Sequence, residues 1–303
     1  MGRPGLTRAA AIAFIAAGLV RATAGAAQPH LDLGSLLDAV GDRVTSFYQR
    51  AEHLICRNVS TMQPIGTNWA WQGFARTVES ELRLEVIPAD GDGVPEARVL
   101  RNIQRVNGRM PRESEKKSRN GCTDPNPLSP EPLAFLLPPN RDEFRFTSVK
   151  SGRERGRNAL IIDFSSANRR SRPELIEDER GHEDCFDWKG PVAVRGQVWV
   201  DAETYDVLRI ERGLMGPVDI SVPAKLQRRY LFASYLTLDR DDLTIRFRPF
   251  TFTDPDETLL LPNEIDSVTI VRTGLQSARR TESFTDYQRF LTTGRIKGSS
   301  IYP

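Results

Sequence analysis

Two periodicities divide the chain. Leu33, Leu36, Leu37, Val40, Val44, Phe47, Tyr48, Ala51, Leu54 and Ile55 recur at spacings of three and four, with Asp38, Asp42, Arg43, Arg50 and Glu52 between them. That spacing predicts one long amphipathic helix. Burying such side chains is worth roughly 1.5–3 kcal/mol each, so the stripe must dock on something broad and apolar, and a sheet is the candidate that follows. From Cys56 onward the period changes to two. It is clearest over Thr77 to Val86, where Val78, Leu82, Leu84 and Val86 alternate with Glu79, Glu81, Arg83 and Glu85. One face of such a strand is wet and the other is not.

The alternation continues over Val99 to Val106 and meets Asn107-Gly108, a favoured tight-turn pair. Residues 109 to 131 are polar and proline-rich, a predicted loop, and Pro132 to Leu137 is a short apolar helical turn stopped by Pro138-Pro139. Strands are predicted at Phe144 to Val149 and Leu160 to Phe164, separated by a glycine- and arginine-bearing turn from Lys150 to Asn158. Val192 to Val200 and Val207 to Glu211 form the clearest hairpin, in which Val198 and Val200 face one way and Trp199 and Asp201 the other, with Asp201 and Thr204 placed to cap the turn. Further alternating runs cover Gln227 to Leu238, Leu243 to Phe252, Glu264 to Thr273 and Arg279 to Tyr287. With about ten strands, one leading helix and no helix–strand alternation, the expected class is α+β. The expected architecture is a single strongly curved antiparallel sheet, an unclosed barrel, wrapped over the N-terminal helix. A split into two domains between residues 165 and 190 is the alternative.

Ahead of the helix, Arg3 and Arg8 precede the uncharged run Ala9 to Val20, and Ala22 to Ala27 is built of small residues. This order predicts a secretory signal over residues 1–26, cleaved after Ala26, with residues 27–303 as one β-rich domain in the periplasm or secreted. The apolar run is too short for a spanning helix, so no transmembrane segment is expected in the mature chain. Arg3, Arg8 and Arg21 leave with the signal, so 42 basic residues become 39 against 40 acidic ones. A balance that close to neutral argues against a nucleic-acid partner. A hydrophobic share of 39% suits a β-rich fold with one wetted face.

An exported chain with three cysteines favours a disulfide, and Cys122 and Cys185, both in polar surroundings, are the preferred pair, with Cys56 as a small buried residue. No nucleophile elbow, phosphate loop or zinc-protease signature is present, and the chain has only three histidines. His53 to Cys56 and His182 to Cys185 are both H-x-x-C and together offer four zinc ligands on paper. A helix end, the competing disulfide and the need for a reduced thiolate weigh against that reading, so neither metal nor cofactor is expected. Carboxylate pairs abound without a spacing that selects one, and no enzyme activity is assigned.

Three stretches are basic: Arg105 to Arg119, Lys150 to Arg157, and Arg169 to Arg172. The bland reading is solvated loops paired with nearby acids, and the sharper one a rim facing an anionic lipid surface. Trp69 and Trp71 share one side of an extended segment beside Phe74. Such aromatics either cover the core or line the mouth of an apolar cavity between sheet and helix.

The hairpin Gly196-Gln197-Val198-Trp199-Val200-Asp201 to Val207-Leu208-Arg209-Ile210-Glu211, the segment Leu261-Pro262-Asn263-Glu264-Ile265, and the closing Phe284-Thr285-Asp286-Tyr287-Gln288-Arg289-Phe290 together resemble the lipoprotein-localisation (LolA/LolB-like) periplasmic family. With the leading helix the likeness spans most of residues 31 to 291, and it extends to uncharacterised secreted bacterial proteins. It implies an unclosed barrel over helices and a carrier role for a hydrophobic ligand, a lipid or a lipoprotein acyl chain. The expected ligand-contacting residues are Phe47, Trp69, Trp71, Phe74 and Trp199. The competing expectation is a structural or interaction module of the envelope whose core is filled by its own side chains.

Overall fold

A computed structural model describes residues 32–51, 53–66, 68–87, 96–113, 132–170, 172–177, 186–253, 255–272 and 274–289. The expected signal, Cys122, Cys185, His30, His182 and residues 114–119 of the first basic stretch lie outside the described residues.

Helix α1 (Leu33–Arg50) opens with the Asp32 carboxylate accepting from the Ser35 amide and closes with the Ala51 amide donating to the Phe47 carbonyl. Its stripe of Leu36, Leu37, Val40, Val44 and Tyr48 is buried, as the spacing requires. The helix is shorter than its stripe suggests. Leu54 and Ile55 belong to β1 (His53–Ile65), because Leu54 also begins the alternation Leu54, Cys56, Asn58, Ser60, Met62 along the inner face of that strand. Residue 54 fits both periods, and pairing with strands on either side decides in favour of the sheet.

The remaining strands are β2 (Arg76–Ile87), β3 (Glu96–Val106), β4 (Phe144–Glu154), β5 (Arg157–Ser166), β6 (Glu174–Glu177), β7 (Phe186–Lys189), β8 (Val194–Asp201), β9 (Val207–Leu214), β10 (Val218–Ser221), β11 (Tyr235–Thr253), β12 (Asp256–Val271) and β13 (Ser277–Arg289). Ten of them form one antiparallel path, β3-β2-β1-β13-β12-β11-β9-β8-β5-β4. The short β10, β6 and β7 branch from β11, and β10 meets β6 through a single parallel pair, Ser221 with Glu174. Two expectations about local structure change. Residues 150–158 are no loop: β4 and β5 run up to a two-residue turn, Arg155-Gly156, with both φ angles positive, the geometry that matches strand twist. The predicted strand from Gln227 is instead α3 (Ala224–Tyr230), entered through Pro223, packed by Leu226 and stopped by Leu231 in the left-handed region. α2 (Pro138–Arg141) is a single turn following a 3-10 turn at Ala134–Leu136.

The sheet is open, ends on β3 and β4, and is not strongly curled, which corrects the expected unclosed barrel. The stripe of α1 is covered without a deep curl because it is shared. The sheet supplies Ile162, Val198, Ile210, Ile245, Leu261 and others beneath it, while Leu133, Leu136 and Leu137 close over its flank. Arg141 fixes that flank, donating to Asp38 at 2.7 Å and to the Leu37 carbonyl at 2.9 Å. Gly41 makes room for it, since a Cβ there would lie 2.6 Å from the Arg141 Nη2.

Trp199, Ala159 and Leu208 form a small cluster on the face away from α1, and a separate cluster of Leu175, Val218, Ile220, Leu226, Leu236 and Leu238 binds the short strands to α3. Asp201 performs the turn-capping role expected of it, accepting from the Glu203 and Thr204 amides at 2.9 Å each. Burial pushes its carboxyl up, but these amides and Arg157 hold it below the usual range.

Gly196 in β8 leaves no space for a side chain: a Cβ would overlap the Glu211 carbonyl oxygen and lie 2.8 Å from the Phe164 ring. Gly196→Ala is expected to lower stability in urea unfolding by about 1–3 kcal/mol or more through overpacking. A neutral result would show that β8 and β9 are not this closely apposed.

Candidate functional site

Between α1 and the sheet runs a narrow cleft with an apolar floor of Val44, Phe47, Leu133, Val207, Phe247 and Leu259. Its rim is ionic. Arg43 reaches Asp206, in the β8–β9 turn, at 2.7 Å, and Arg50 reaches Glu257, at the β11–β12 turn, at 2.8 Å. Arg50 also donates to the Thr258 carbonyl at 2.8 Å. Glu257 is shared with Arg289, which donates in turn to the Arg50 carbonyl at 2.6 Å, a cation on the negative end of α1. The helix is thus held by side chains spaced seven residues apart on one edge of its stripe. The free volume beneath is about 40 Å³, room for one or two waters and far less than an acyl chain needs. Towards β4, Phe135, Phe144, Phe146 and Phe164 fill the same face, with ring centroids 4.8 to 6.4 Å apart.

The inner face is not apolar throughout. Asn58 and Ser60 on β1, Ser80 on β2 and Glu282 on β13 are all buried. Asn58 donates to Glu282 at 3.1 Å, and Arg101 donates to Ser80 at 2.9 Å. Burial raises the Glu282 carboxyl to about 6 against the opposing pull of Arg280, Asn58 and Arg101. Beside this row, burial pushes the Cys56 thiol up to about 12, so it stays protonated at neutral pH. His53 and Cys56, three apart on one strand, face opposite sides of the sheet and cannot share a metal ion.

The five aromatics expected to contact a ligand do not converge. Phe47 lines the cleft. Trp199 lies on the opposite face, buried under Arg209, whose guanidinium sits 4.6 Å from the ring centroid. Trp69, Trp71 and Phe74 occupy the tip of the β1–β2 hairpin, 58%, 66% and 96% exposed. The Ile65–Trp71 bridge and the positive φ of Trp69 turn the chain back at this tip and leave the rings exposed. Sequence reasoning missed the latch, although Arg43 and Arg50, seven apart on the border of the stripe, were its signal. It also missed Glu282, a carboxylate in the inward register of a strand whose next inward residue is Phe284. Three of the four cations in the second basic stretch are paired: Lys150 with Asp163, Arg155 with Glu264 and Arg157 with Asp201. Hydrogen bonds from Lys150, Ser148 and Gln197 hold Asp163 down at about 2.

No protein-family model matches the chain, and no curated protein does. Solved structures resemble it. A putative outer membrane lipoprotein-sorting protein domain from Vibrio parahaemolyticus aligns over 86% of this chain and 94% of its own, with 12% identity and a TM-score of 0.42. A LolA superfamily protein from Nitrosomonas europaea aligns over 84% and 93%, with 10% identity and a TM-score of 0.28. The MucA/MucB complex of Pseudomonas aeruginosa contributes a chain aligned over 82% and 93%, with 9% identity and a TM-score of 0.22.

A carboxyl raised from 4.5 to about 6 on folding binds its proton more tightly in the native state. Its contribution to stability is therefore complete below pH 4.5 and is lost as pH rises through 6, a decline of roughly 2 kcal/mol at 1.36 kcal/mol per pH unit. Glu282→Gln is expected to remove that part of the slope in chemical unfolding between pH 4.5 and 6.5, and an unchanged slope would assign it to other groups.

Proposed function

We propose that the protein is an exported, non-enzymatic binding or carrier protein that takes up a hydrophobic ligand, a lipid or lipoprotein acyl chain, between α1 and the sheet. The observation that carries this reading is the manner in which α1 is held. It roofs an apolar sheet face and is fastened at the rim by partly exposed ion pairs. Such pairs are worth about 0.2–1 kcal/mol each, so apolar burial rather than charge holds the roof, and an apolar ligand can replace that burial. The burial lost on lifting α1 is matched by the ligand. The five buried stripe residues represent on the order of 7–15 kcal/mol, and an acyl chain of about fourteen carbons on the order of 11 kcal/mol, at about 0.8 per methylene. The exchange of helix for ligand is close to balanced, which suits a carrier that must also release. In this reading residues 27–303 act as one domain in the periplasm or outside the cell, and no metal or organic cofactor is required.

The second reading is an envelope interaction module with a self-filled core. The cleft of about 40 Å³ and the phenylalanine cluster favour it.

Two variants separate the readings. Arg43→Ser with Arg50→Ser loosens the roof and is expected to increase uptake of a fluorescent fatty acid severalfold over the parent. Val207→Trp fills the cleft floor and is expected to abolish uptake. If neither parent nor loosened protein takes up the probe, and native-purified material yields no extractable lipid, the filled-core module stands.

A further inference from the structure

Eight large apolar side chains are markedly exposed among the described residues, and six of them, Trp69, Trp71, Phe74, Met110, Leu231 and Tyr235, gather at one end of the sheet. The register places them there. Met62 pairs with Arg76, Val78 with Val106, Ile65 with Ser277, and Leu238 with Val271. Residues 68–75, 107–113, 231–234 and 274–276 therefore emerge side by side from the same ends of β1, β2, β3, β11, β12 and β13. The other two exposed apolar residues, Leu100 and Val149, lie one on each edge strand.

Folding does not explain this end. Phe74 is 96% exposed and Leu231 90%, so neither contributes to a core. Hairpin tips in water are ordinarily polar, yet residues 68–75 carry no charge and three aromatic rings, with Trp69 and Gly73 both held at positive φ. The charges nearby have one predominant sign. Arg109, Arg112 and Arg272 stand among these loops against Glu113 and Asp239, the latter paired with Arg272 at 2.8 Å, and Arg76 and Arg228 flank them.

We propose that this end of the sheet docks on an anionic lipid bilayer, with Trp69, Trp71 and Phe74 entering the headgroup region and the neighbouring arginines meeting lipid phosphates. Tryptophan and tyrosine favour that interface because their rings are apolar and their edges polar, and arginine extends its charge to phosphate while its stem stays in apolar surroundings. A protein partner needs one continuous complementary surface, whereas this patch is spread over four separate loop ends that share a level rather than a groove. A bilayer asks only for that level. The α1 latch lies at the other end of the sheet, where Glu257 opens β12 beside the β11–β12 turn, so docking leaves the cleft rim clear and is independent of what the cleft holds.

The test uses the mature chain with vesicles of phosphatidylcholine alone and of phosphatidylcholine with one-third phosphatidylglycerol. Co-flotation with the anionic vesicles is expected to fall at least tenfold in Trp69→Ser/Trp71→Ser/Phe74→Ser and to persist in Leu100→Ser/Val149→Ser. It is also expected to weaken in 0.5 M salt. Tryptophan emission should shift to the blue on adding anionic vesicles and stay fixed in Trp69→Ser/Trp71→Ser, which keeps Trp188 and Trp199. All five substituted side chains, three at the aromatic tip and two on the edge strands, are exposed, so thermal unfolding should be unchanged. Equal flotation of parent and triple variant would overturn the proposal, as would flotation on neither vesicle or a parent dimer in light scattering that the triple variant abolishes.

Discussion

The structure depends on one contact, the apolar stripe of α1 lying against the inner face of a mostly antiparallel sheet. Neither partner is soluble alone in this form. The stripe would expose Leu36, Leu37, Val40, Val44 and Tyr48, and the sheet would expose a field running from Leu54 and Leu82 on one side to Ile162 and Val198 on the other. The apolar segment at 133–137 completes the cover, and Arg141 ties it to the helix backbone. Because two surfaces share the burial, the sheet can stay open and lightly curled. The ion pairs at the rim then orient the helix more than they stabilise it.

Within that apolar field a polar row runs across β2, β1 and β13. Ser80, Asn58, Ser60 and Glu282 are withdrawn from water, and the carboxyl is held in place by an asparagine and by the fields of two arginines. The row sits on the same face as the cleft, in strands nearer the β3 edge, and is flanked there by apolar residues such as Cys56, Leu82 and Phe284.

Much of the fold was legible. The 3.6 period marked α1, and the alternation around Val198 and Trp199 correctly separated their faces. Asn107-Gly108 turns with both φ angles positive. About ten strands were expected, and ten lie on the main path. Failures came where one residue satisfied two rules, as Leu54 does at the junction of helix and strand, or where the outcome depended on distant chain. Curvature belongs to the second kind, since nothing near α1 announces that Leu133 and Leu137 will cover its flank. The site was less legible than the fold. Phe47 lies in the stripe and so in the cleft, but Trp69, Trp71 and Phe74 read the same in sequence whether they cap a cavity or crown a hairpin. Trp199 was assigned to the correct face, which is the one away from the cleft.

Hydrogen exchange followed by mass spectrometry, with and without a soluble long-chain fatty acid, tests the removable roof most directly. The account predicts that peptides from α1 exchange orders of magnitude faster than those from β8, β9 and β11, through local opening, and that the fatty acid changes protection in α1 and beneath it alone. If α1 is as protected as the central strands and indifferent to the fatty acid, the helix is a fixed part of the core and the carrier reading is contradicted.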